Sequence, residues 1–347
     1  MKSPGRFARS LALAIVAFFS GSLFGADAPY HFVKEIPVPG EGGWDYLSVD
    51  AAGRRLYVSH GTKVVAIDLD KDEVAGEIGD TPGVHGFAVA PELGRGFSSN
   101  GRENKASIVD LKTLTTLSKV ETGENPDAIL YEATRHEVYT FNGRSRSATV
   151  FEALSGKVLA TVALSGKPEF AVSDPKAACI YCNLEDKNEV AVIESNDHKV
   201  ITTWPIAPGE EASGLAIDLD HHRLFLGCRN KLMVMMDSTS GKVVGSVPIG
   251  QGVDANAFDP GTQLAFSSCG EGTVTVAHED SPGKLTVVQT LKTESGAKTM
   301  ALDPKTHKIY LSTAKFEAAP AQSDGAPRQR PKIIPGTFKV LVYGMER

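Results

Sequence analysis

The sequence lacks the short motifs that mark common hydrolases and nucleotide-binding enzymes. It contains no G-x-S-x-G elbow, no P-loop and no H-E-x-x-H zinc motif. Cysteine is scarce, at four residues among 347, which excludes a small scaffold held together by many disulfides. After residue 28, no apolar run approaches the roughly 20 residues that a membrane span needs.

The one strongly apolar run stands near the start of the chain and has the features of a secretory signal peptide. Three basic residues precede the run Leu11–Phe19, and Ala26-Asp27-Ala28 forms an A-x-A-like end. We expect cleavage after Ala26 or Ala28, a single mature domain over residues 29–347, and a periplasmic or secreted location. An uncleaved membrane anchor is the alternative, although the run is short for one.

Acidic residues outnumber basic ones, which argues against polyanionic partners. Loss of residues 1–28 removes three basic residues and one acidic residue, so the formal charge changes from −6 to −8. Such a surface repels nucleic acid and anionic lipid. A small cationic ligand, a metal ion or a protein partner fits this charge better.

What the chain has is a repeat of about forty residues, whose clearest copy runs from Asp45 to Ile78. It reads as four short strands: Tyr46–Asp50, Arg55–Ser59, Val64–Asp68 and Val74–Ile78. This period and strand count are typical of propeller blades. Seven aromatic residues share one register in the second strands and are predicted to pack between sheets: Tyr57, Phe97, Tyr139, Tyr181, Phe225, Phe266 and Tyr310.

The ends of the repeat array predict how the ring closes. The seventh copy has no fourth strand, while residues 31–38 form a spare strand at the start of the mature chain. Pairing the two removes an exposed sheet edge. The sequence therefore predicts an all-β, seven-bladed β-propeller whose last blade is closed by the N-terminal strand, and we expect a monomer.

Several segments resemble the YVTN-type β-propeller repeat family over essentially all of residues 30–347. The resemblance is carried by Leu56–Gly61, by Val64–Asp68, and by the turns into outer strands at Ser155–Val162 and Ser240–Val247. Tyr57-Val58-Ser59-His60 is nearest to the family's tetrapeptide. No Trp-Asp pair closes a third strand, as a WD-type propeller would require. The resemblance implies the fold; unrelated functions occur on it.

The repeat register also predicts where a ligand would bind. Propellers bind ligands at one mouth of the central channel, which the starts of the inner strands surround. Seven residues spaced 40 to 44 apart fall at that position, and we call them the mouth ring: Asp45, His85, Asp127, Glu169, Ser213, Asp254 and Lys298.

Four carboxylates around one axis repel each other unless a proton or a cation lies among them. Lys298 would supply part of that charge. A divalent metal ion would supply the rest, with Asp127, Glu169 and His85 as candidate ligands, since carboxylates suit calcium or magnesium and an imidazole admits a transition metal. A water-filled channel without a ligand is the alternative.

A second set of residues follows the aromatic of each second strand by three positions, in what we expect to be the loop at the mouth: His60, Asn100, Asn142, Leu184, Cys228, Cys269 and Thr313. Arg102 and Arg144 occupy equivalent places nearby and are candidates to clamp an anionic group. Cys228 and Cys269 are equivalent on adjacent blades, so a disulfide, a soft-metal site with His60 and separate thiols all remain open. Cys179 and Cys182 fall in one strand, which favours buried thiols over a redox or zinc pair.

Residues 315–337 interrupt the last blade on the mouth side. The four basic residues of this insertion are candidates to fold over the acidic mouth, and a disordered spacer is the alternative: Lys315, Arg328, Arg330 and Lys332.

Three functions fit these observations. The first is an exported noncatalytic propeller that acts as a binding or scaffold protein through the mouth. The second is a metal-assisted hydrolase of lactone or ester type, since some lactone-cleaving propellers look similar and His85, Asp127 and Glu169 would serve as base or ligands. The third is a partner subunit of a periplasmic redox or metal-handling system.

Overall fold

The computed structural model describes residue 1, residues 29–317 and residues 332–345. These residues form seven four-stranded antiparallel sheets. Helix within the described part is limited to two short 3-10 turns, Pro91–Leu93 and Glu185–Lys187. The predicted signal peptide, apart from residue 1, and residues 318–331 of the insertion lie outside the described residues.

Blades 1 to 3 each use four consecutive strands, and their order within each sheet follows the chain. The strands are β2 (Trp44–Asp50), β3 (Arg55–His60), β4 (Lys63–Asp68), β5 (Glu73–Ile78), β6 (Val84–Ala90), β7 (Arg95–Asn100), β8 (Lys105–Asp110), β9 (Thr115–Glu121), β10 (Pro126–Glu132), β11 (Glu137–Asn142), β12 (Ser147–Glu152) and β13 (Val158–Ala163).

Blades 4 to 6 repeat that plan, and blade 7 combines three C-terminal strands with β1 (His31–Pro37). The remaining strands are β14 (Pro168–Asp174), β15 (Cys179–Leu184), β16 (Glu189–Glu194), β17 (Lys199–Pro205), β18 (Ala212–Asp218), β19 (Arg223–Cys228), β20 (Leu232–Asp237), β21 (Val243–Pro248), β22 (Val253–Asp259), β23 (Leu264–Cys269), β24 (Thr273–Ser281), β25 (Lys284–Lys292), β26 (Met300–Asp303), β27 (Lys308–Thr313) and β28 (Lys339–Gly344).

Short acidic turns end the third strands of most blades. Asp68 Oδ1 accepts hydrogen bonds from the N–H groups of Asp70 and Lys71, both at 3.0 Å, and Asp237 holds the equivalent turn of blade 5. A carboxylate that binds the backbone two and three residues ahead stabilises a tight reversal. This local chemistry explains why a short turn joins the third strand of these blades to the fourth.

The second-strand aromatics pack between neighbouring sheets, as predicted. All seven are 0–2% exposed. The ring of Tyr57 in blade 1 lies 4.6 Å from Phe87 in blade 2, and that of Phe225 in blade 5 lies 4.9 Å from Phe258 in blade 6. Each of these contacts joins a second strand to the inner strand of the next blade, so the core of the molecule lies between blades.

The N-terminal strand closes the ring, which confirms the predicted closure. It pairs antiparallel with β28, with His31 opposite Gly344 and Pro37 opposite Lys339. Ile36 is 2% exposed within the joint. Blade 7 therefore contains the first and the last described strands of the chain.

Candidate functional site

The mouth ring occupies one structural position in every blade. Six of its members are the second residue of an inner strand, and Lys298 lies two residues before β26. In each of those six strands the pairing register shifts after the first residue, as from Trp44 to Leu47 in β2. A β-bulge turns a side chain away from the regular alternation. In each of these six strands the bulge coincides with the mouth-ring residue.

His85 bridges two carboxylates of the ring. Its Nδ1–H donates a hydrogen bond to Asp45 Oδ2 at 2.7 Å, and Nδ1 lies 3.6 Å from Asp127 Oδ1. Burial opposes a charge on the ring, but the bond to Asp45 and the charge of Asp127 outweigh it and raise the pKa of His85 to about 9. The imidazole is therefore a cation at neutral pH.

The carboxylates themselves are difficult to ionise. Burial, with repulsion from Asp45, raises the pKa of Asp127 to about 6, although His85 opposes the shift. Burial and the charge of Asp127 raise the pKa of Glu169 to about 8 against the effect of Lys167. The pKa of Asp254 is also raised by burial. The mouth consequently holds protons near neutral pH that an incoming cation would displace.

Lysine side chains of the protein itself neutralise the two remaining carboxylates of the mouth ring, Asp254 and Glu169. Lys298 Nζ lies 2.8 Å from Asp254 Oδ2. Lys167 Nζ lies 3.0 Å from Glu169 Oε1 and also binds Glu185 at 2.5 Å. Arg229 Nη2 extends this chain of ion pairs, at 2.7 Å from the second oxygen of Glu185.

Glu185 and Arg229 were missed from the sequence, although a signal for them exists. Both follow the last residue of a second strand, where blades 1, 2, 3 and 6 have glycine: Gly61, Gly101, Gly143 and Gly270. Blades 4 and 5, which are adjacent, have charged residues at this position and differ in this from the four blades that have glycine.

Tyr46 was also missed, and it lies just below the ring. Burial, and then the charges of Asp127, Asp45 and Glu169, raise its pKa well above the usual range. Its ring meets Phe170 edge-on at 5.3 Å. Both rings line a cavity of about 250 Å³ between the inner strands of blades 1 to 4. The mouth therefore ends on an aromatic floor.

The structure brings the predicted metal ligands together only in part. The donor atoms of Asp45, His85 and Asp127 lie within 4.8 Å of one another. Glu169, which the sequence analysis grouped with His85 and Asp127, instead pairs with Lys167. Ser213 keeps the ring position but is only 5% exposed, and its carbonyl accepts a hydrogen bond from Asn183 at 3.0 Å.

The second predicted set does not lie in loops. Each member is the last residue of a second strand and is at most 1% exposed. His60 pairs with both Trp44 and Lys63, and its ring stacks on Phe338 at 4.2 Å. Six of these residues are paired on both sides within their sheets, and Thr313 is paired with Lys339, so the loop prediction was wrong.

Arg102 and Arg144 lie in equivalent turns, as predicted. Their N–H groups donate to the carbonyls of Pro82 and Glu124, both at 3.2 Å, and both residues are exposed. Their role as an anion clamp stays a prediction.

All four cysteines, which lie in the described part of the chain, are free thiols. Burial raises the pKa of both Cys228 and Cys269 to about 12. These two residues are therefore inert packing groups rather than reactive thiols.

The base of the insertion lies at the mouth side of the ring. Phe316 pairs with Ile333 in an isolated antiparallel bridge, and the Phe316 ring lies 5.9 Å from Trp44, the neighbour of Asp45. Of the basic residues, Lys315 and Lys332 lie within the described residues, and Arg328 and Arg330 do not.

Comparison with known proteins supports the fold and no more. No family model matches the chain, and no curated protein matches it in sequence. A chain of hydrazine synthase from Kuenenia stuttgartiensis has a similar structure, with a TM-score of 0.70 and 15% sequence identity over 85% of this chain and 96% of that chain. Within residues 29–317 and 332–345, no helix is both long and apolar enough to cross a bilayer.

Proposed function

We propose that this protein is an exported, noncatalytic binding propeller that holds a divalent transition-metal ion at its mouth through Asp45, His85 and Asp127. The observation that carries the proposal is the spacing of three donor atoms, which lie within 4.8 Å of one another. The export signal predicted for residues 1–28 would place this binding activity in the periplasm or outside the cell.

The distances support a metal because they bracket ligand-to-ligand separations, so that small side-chain shifts would place all three donor atoms around one ion. Nδ1 of His85 is 2.7 Å from an oxygen of Asp45 and 3.6 Å from an oxygen of Asp127. Ligands about 2.1 Å from one ion stand roughly 3.0–3.4 Å apart in octahedral or tetrahedral geometry. One imidazole with two carboxylates favours manganese or zinc over calcium or magnesium.

The charges support a cation of this kind. At neutral pH a proton on His85 occupies the space between the two carboxylates, because its pKa is about 9. A divalent ion would replace that proton and neutralise Asp45 and Asp127 more fully.

Calorimetry of the mature protein with Mn²⁺ and Zn²⁺ tests this proposal. We expect His85→Ala and Asp127→Asn each to remove one equivalent of binding. Asp254→Asn is the matched control, because Asp254 is a ring carboxylate that already has Lys298 as its partner. Unchanged stoichiometry and affinity in both His85→Ala and Asp127→Asn would refute the site.

The pH dependence gives a second test. Metal binding must release the proton of His85, so affinity should rise by up to about tenfold per pH unit from pH 6 to 8 and level off near pH 9. Calorimetry in buffers of different ionisation enthalpy would count the released proton. A flat profile would show that His85 is not a ligand.

One observation favours the hydrolase alternative as a second candidate. Glu169 has a pKa of about 8, raised by burial and by Asp127, which suits a general acid or base near neutral pH. If the metal-loaded protein cleaves lactones or esters, Glu169→Gln should lower kcat at least tenfold without weakening metal binding. No turnover above that of free metal would exclude this candidate.

A further inference from the structure

A second group of metal-ligand side chains lies at the end of the propeller opposite the mouth. Asp218 is the last residue of the inner strand β18, whereas the mouth-ring member Ser213 is near its start. His221 belongs to the turn that follows, and Glu279 comes from the third strand of blade 6. The group therefore spans the junction between blades 5 and 6.

Two of these residues depart from the internal repeat. The backbone N–H of Glu279 donates to the carbonyl of Gln263, and one residue in each of five other blades makes the equivalent bond: Leu69, Leu111, Ala153, Ser195 and Ser238. All five are buried and uncharged. His221 stands where blades 6 and 7 have threonine, whose hydroxyl binds the aspartate of its own turn, as Thr262 binds Asp259.

Asp218 also lacks the cation that two equivalent aspartates, Asp259 and Asp303, receive from the next blade. Asp259 pairs with His307 at 2.6 Å, and Asp303 pairs with Arg54 at 2.7 Å. The corresponding residue of blade 6 is Gln263, whose amide donates to the carbonyl of Pro260 instead. Where a basic residue is expected, Asp218 faces the carboxylate of Glu279.

The arrangement leaves a buried carboxylate without a hydrogen-bond donor. The side chain of Glu279 is 1% exposed, and neither of its oxygens has a hydrogen-bond partner among the described residues. Nδ1 of His221 lies 2.7 Å from Asp218 Oδ2 and 3.9 Å from Glu279 Oε2. An unpaired buried carboxylate is strongly unfavourable, so a native protein that keeps one normally binds something to it.

We propose that Asp218, His221 and Glu279 bind a divalent transition-metal ion that joins blades 5 and 6. Their donor atoms lie within 4.8 Å of one another. Two carboxylates with one imidazole suit zinc or manganese. The side chain of His221 is 44% exposed, which gives the ion a path from solvent while both carboxylates stay buried.

Charge supports the same assignment. The side chains of Asp218 and Glu279 are both 1% exposed, and the imidazole of His221 is the cationic group within 4 Å of each. Arg223, the basic residue packed beside the group, is engaged by Asp237 at 2.7 Å and by the carbonyl of Pro282 at 2.8 Å. A bound cation would satisfy both carboxylates at once.

The repeat itself provides the test variants. Glu279→Ser installs the residue of blades 4 and 5, and His221→Thr installs that of blades 6 and 7, so both should fold. Both are made in an Asp127→Asn background, which disables the mouth site. Glu271→Ser, which removes an exposed carboxylate of the same blade, is the control.

Thermal unfolding with Zn²⁺ or with chelator, together with Co²⁺ absorption, gives the readout. We expect metal to raise the melting temperature of the Asp127→Asn protein by several degrees and Co²⁺ to show ligand-field bands, with both effects lost in Glu279→Ser and His221→Thr and kept in Glu271→Ser. Metal-independent melting of the Asp127→Asn protein would overturn the proposal. So would a full metal response in Glu279→Ser. If metal has no effect and the stabilisation by Glu279→Ser grows as pH rises from about 5 to 7, the two carboxyls share a proton and the metal site is refuted.

Discussion

Lys167 and Lys298 each neutralise one carboxylate of the mouth ring, at 3.0 Å from Glu169 and 2.8 Å from Asp254. Among the described residues, no lysine or arginine forms an ion pair with Asp45 or Asp127, and their ion-pair partner is His85. The mouth is therefore divided into a neutralised side and a side open to an external cation. That division depends on a few side chains and not on the fold.

Replacing Glu169 by glutamine tests the charges at this scale. A carboxyl whose pKa rises from 4.5 to about 8 keeps its proton in the folded protein, so the folded state binds more protons than the unfolded state between these values. The free energy of unfolding of the native protein then falls as pH rises through this window. We expect the advantage of Glu169→Gln over the native protein to grow by at least about 1 kcal/mol from pH 5 to pH 8.

Urea unfolding with chelator at four pH values would measure this difference. Glu271→Gln, an exposed carboxylate, should show no such trend. A difference between Glu169→Gln and the native protein that stays constant with pH would mean that Glu169 ionises normally.

The sequence placed the ring residues correctly but not their partners. The register fixes where Asp45 or His85 begins a strand, because every blade repeats that point. It cannot tell that Lys167 turns towards Glu169 or that Asp45, rather than Glu169, joins His85 and Asp127. Those pairings depend on rotamers and on distances across the channel, which no sequence period encodes.

The four strands predicted for the clearest copy of the repeat agree with β2 to β5 to within two residues at each end. The outer hairpin of blade 6 departs from the repeat, because β24 (Thr273–Ser281) and β25 (Lys284–Lys292) are each nine residues long. His278 and Glu279 look like turn residues, but they continue the strand because they pair with Thr286 and Leu285 of β25. This extension carries Glu279 to the face opposite the mouth.

The closing strand gives a prediction at the scale of one element. Ile36 is 2% exposed within the joint between β1 and the rest of blade 7, whereas Val33 lies at a bulge and is 39% exposed. Ile36→Ala should lower the free energy of unfolding by about 2–4 kcal/mol. Val33→Ala, the matched control, should change it by less than about 1 kcal/mol.

Chemical unfolding of both variants would measure these two changes in the free energy of unfolding. Equal, small losses would show that β1 is attached to the propeller rather than part of its core. Deletion of residues 29–38 should then also be harmless, whereas the structure predicts severe destabilisation.

At the scale of the whole molecule, the structure predicts that the chain could begin at a different blade and still form the same ring. Residues 31 and 344 are paired neighbours, so a short glycine-serine linker from residue 345 to residue 29 would make the chain continuous there. New ends could then be opened between Gly79 and Asp80, which are both exposed and lie between blades 1 and 2. We expect this circular permutant to fold and to melt within a few degrees of the native protein.

Circular dichroism and a thermal scan would test the permutant. A scrambled linker of equal length is the control for linker chemistry. If neither permutant folds, the covalent connection between blades 1 and 2 is needed for folding. That result would contradict the expectation that the chain can start at any blade.

The pairing of His31 with Gly344 also determines which sheet forms last during synthesis. A ribosome makes β1 first and β28 last, so the earliest strand has to wait, unpaired, for more than 300 residues of chain. Six blades can assemble from neighbouring segments, but the seventh sheet cannot form until synthesis is nearly finished. Until then β1 has no partner strand, and a chain cut short before β28 would keep its edge exposed.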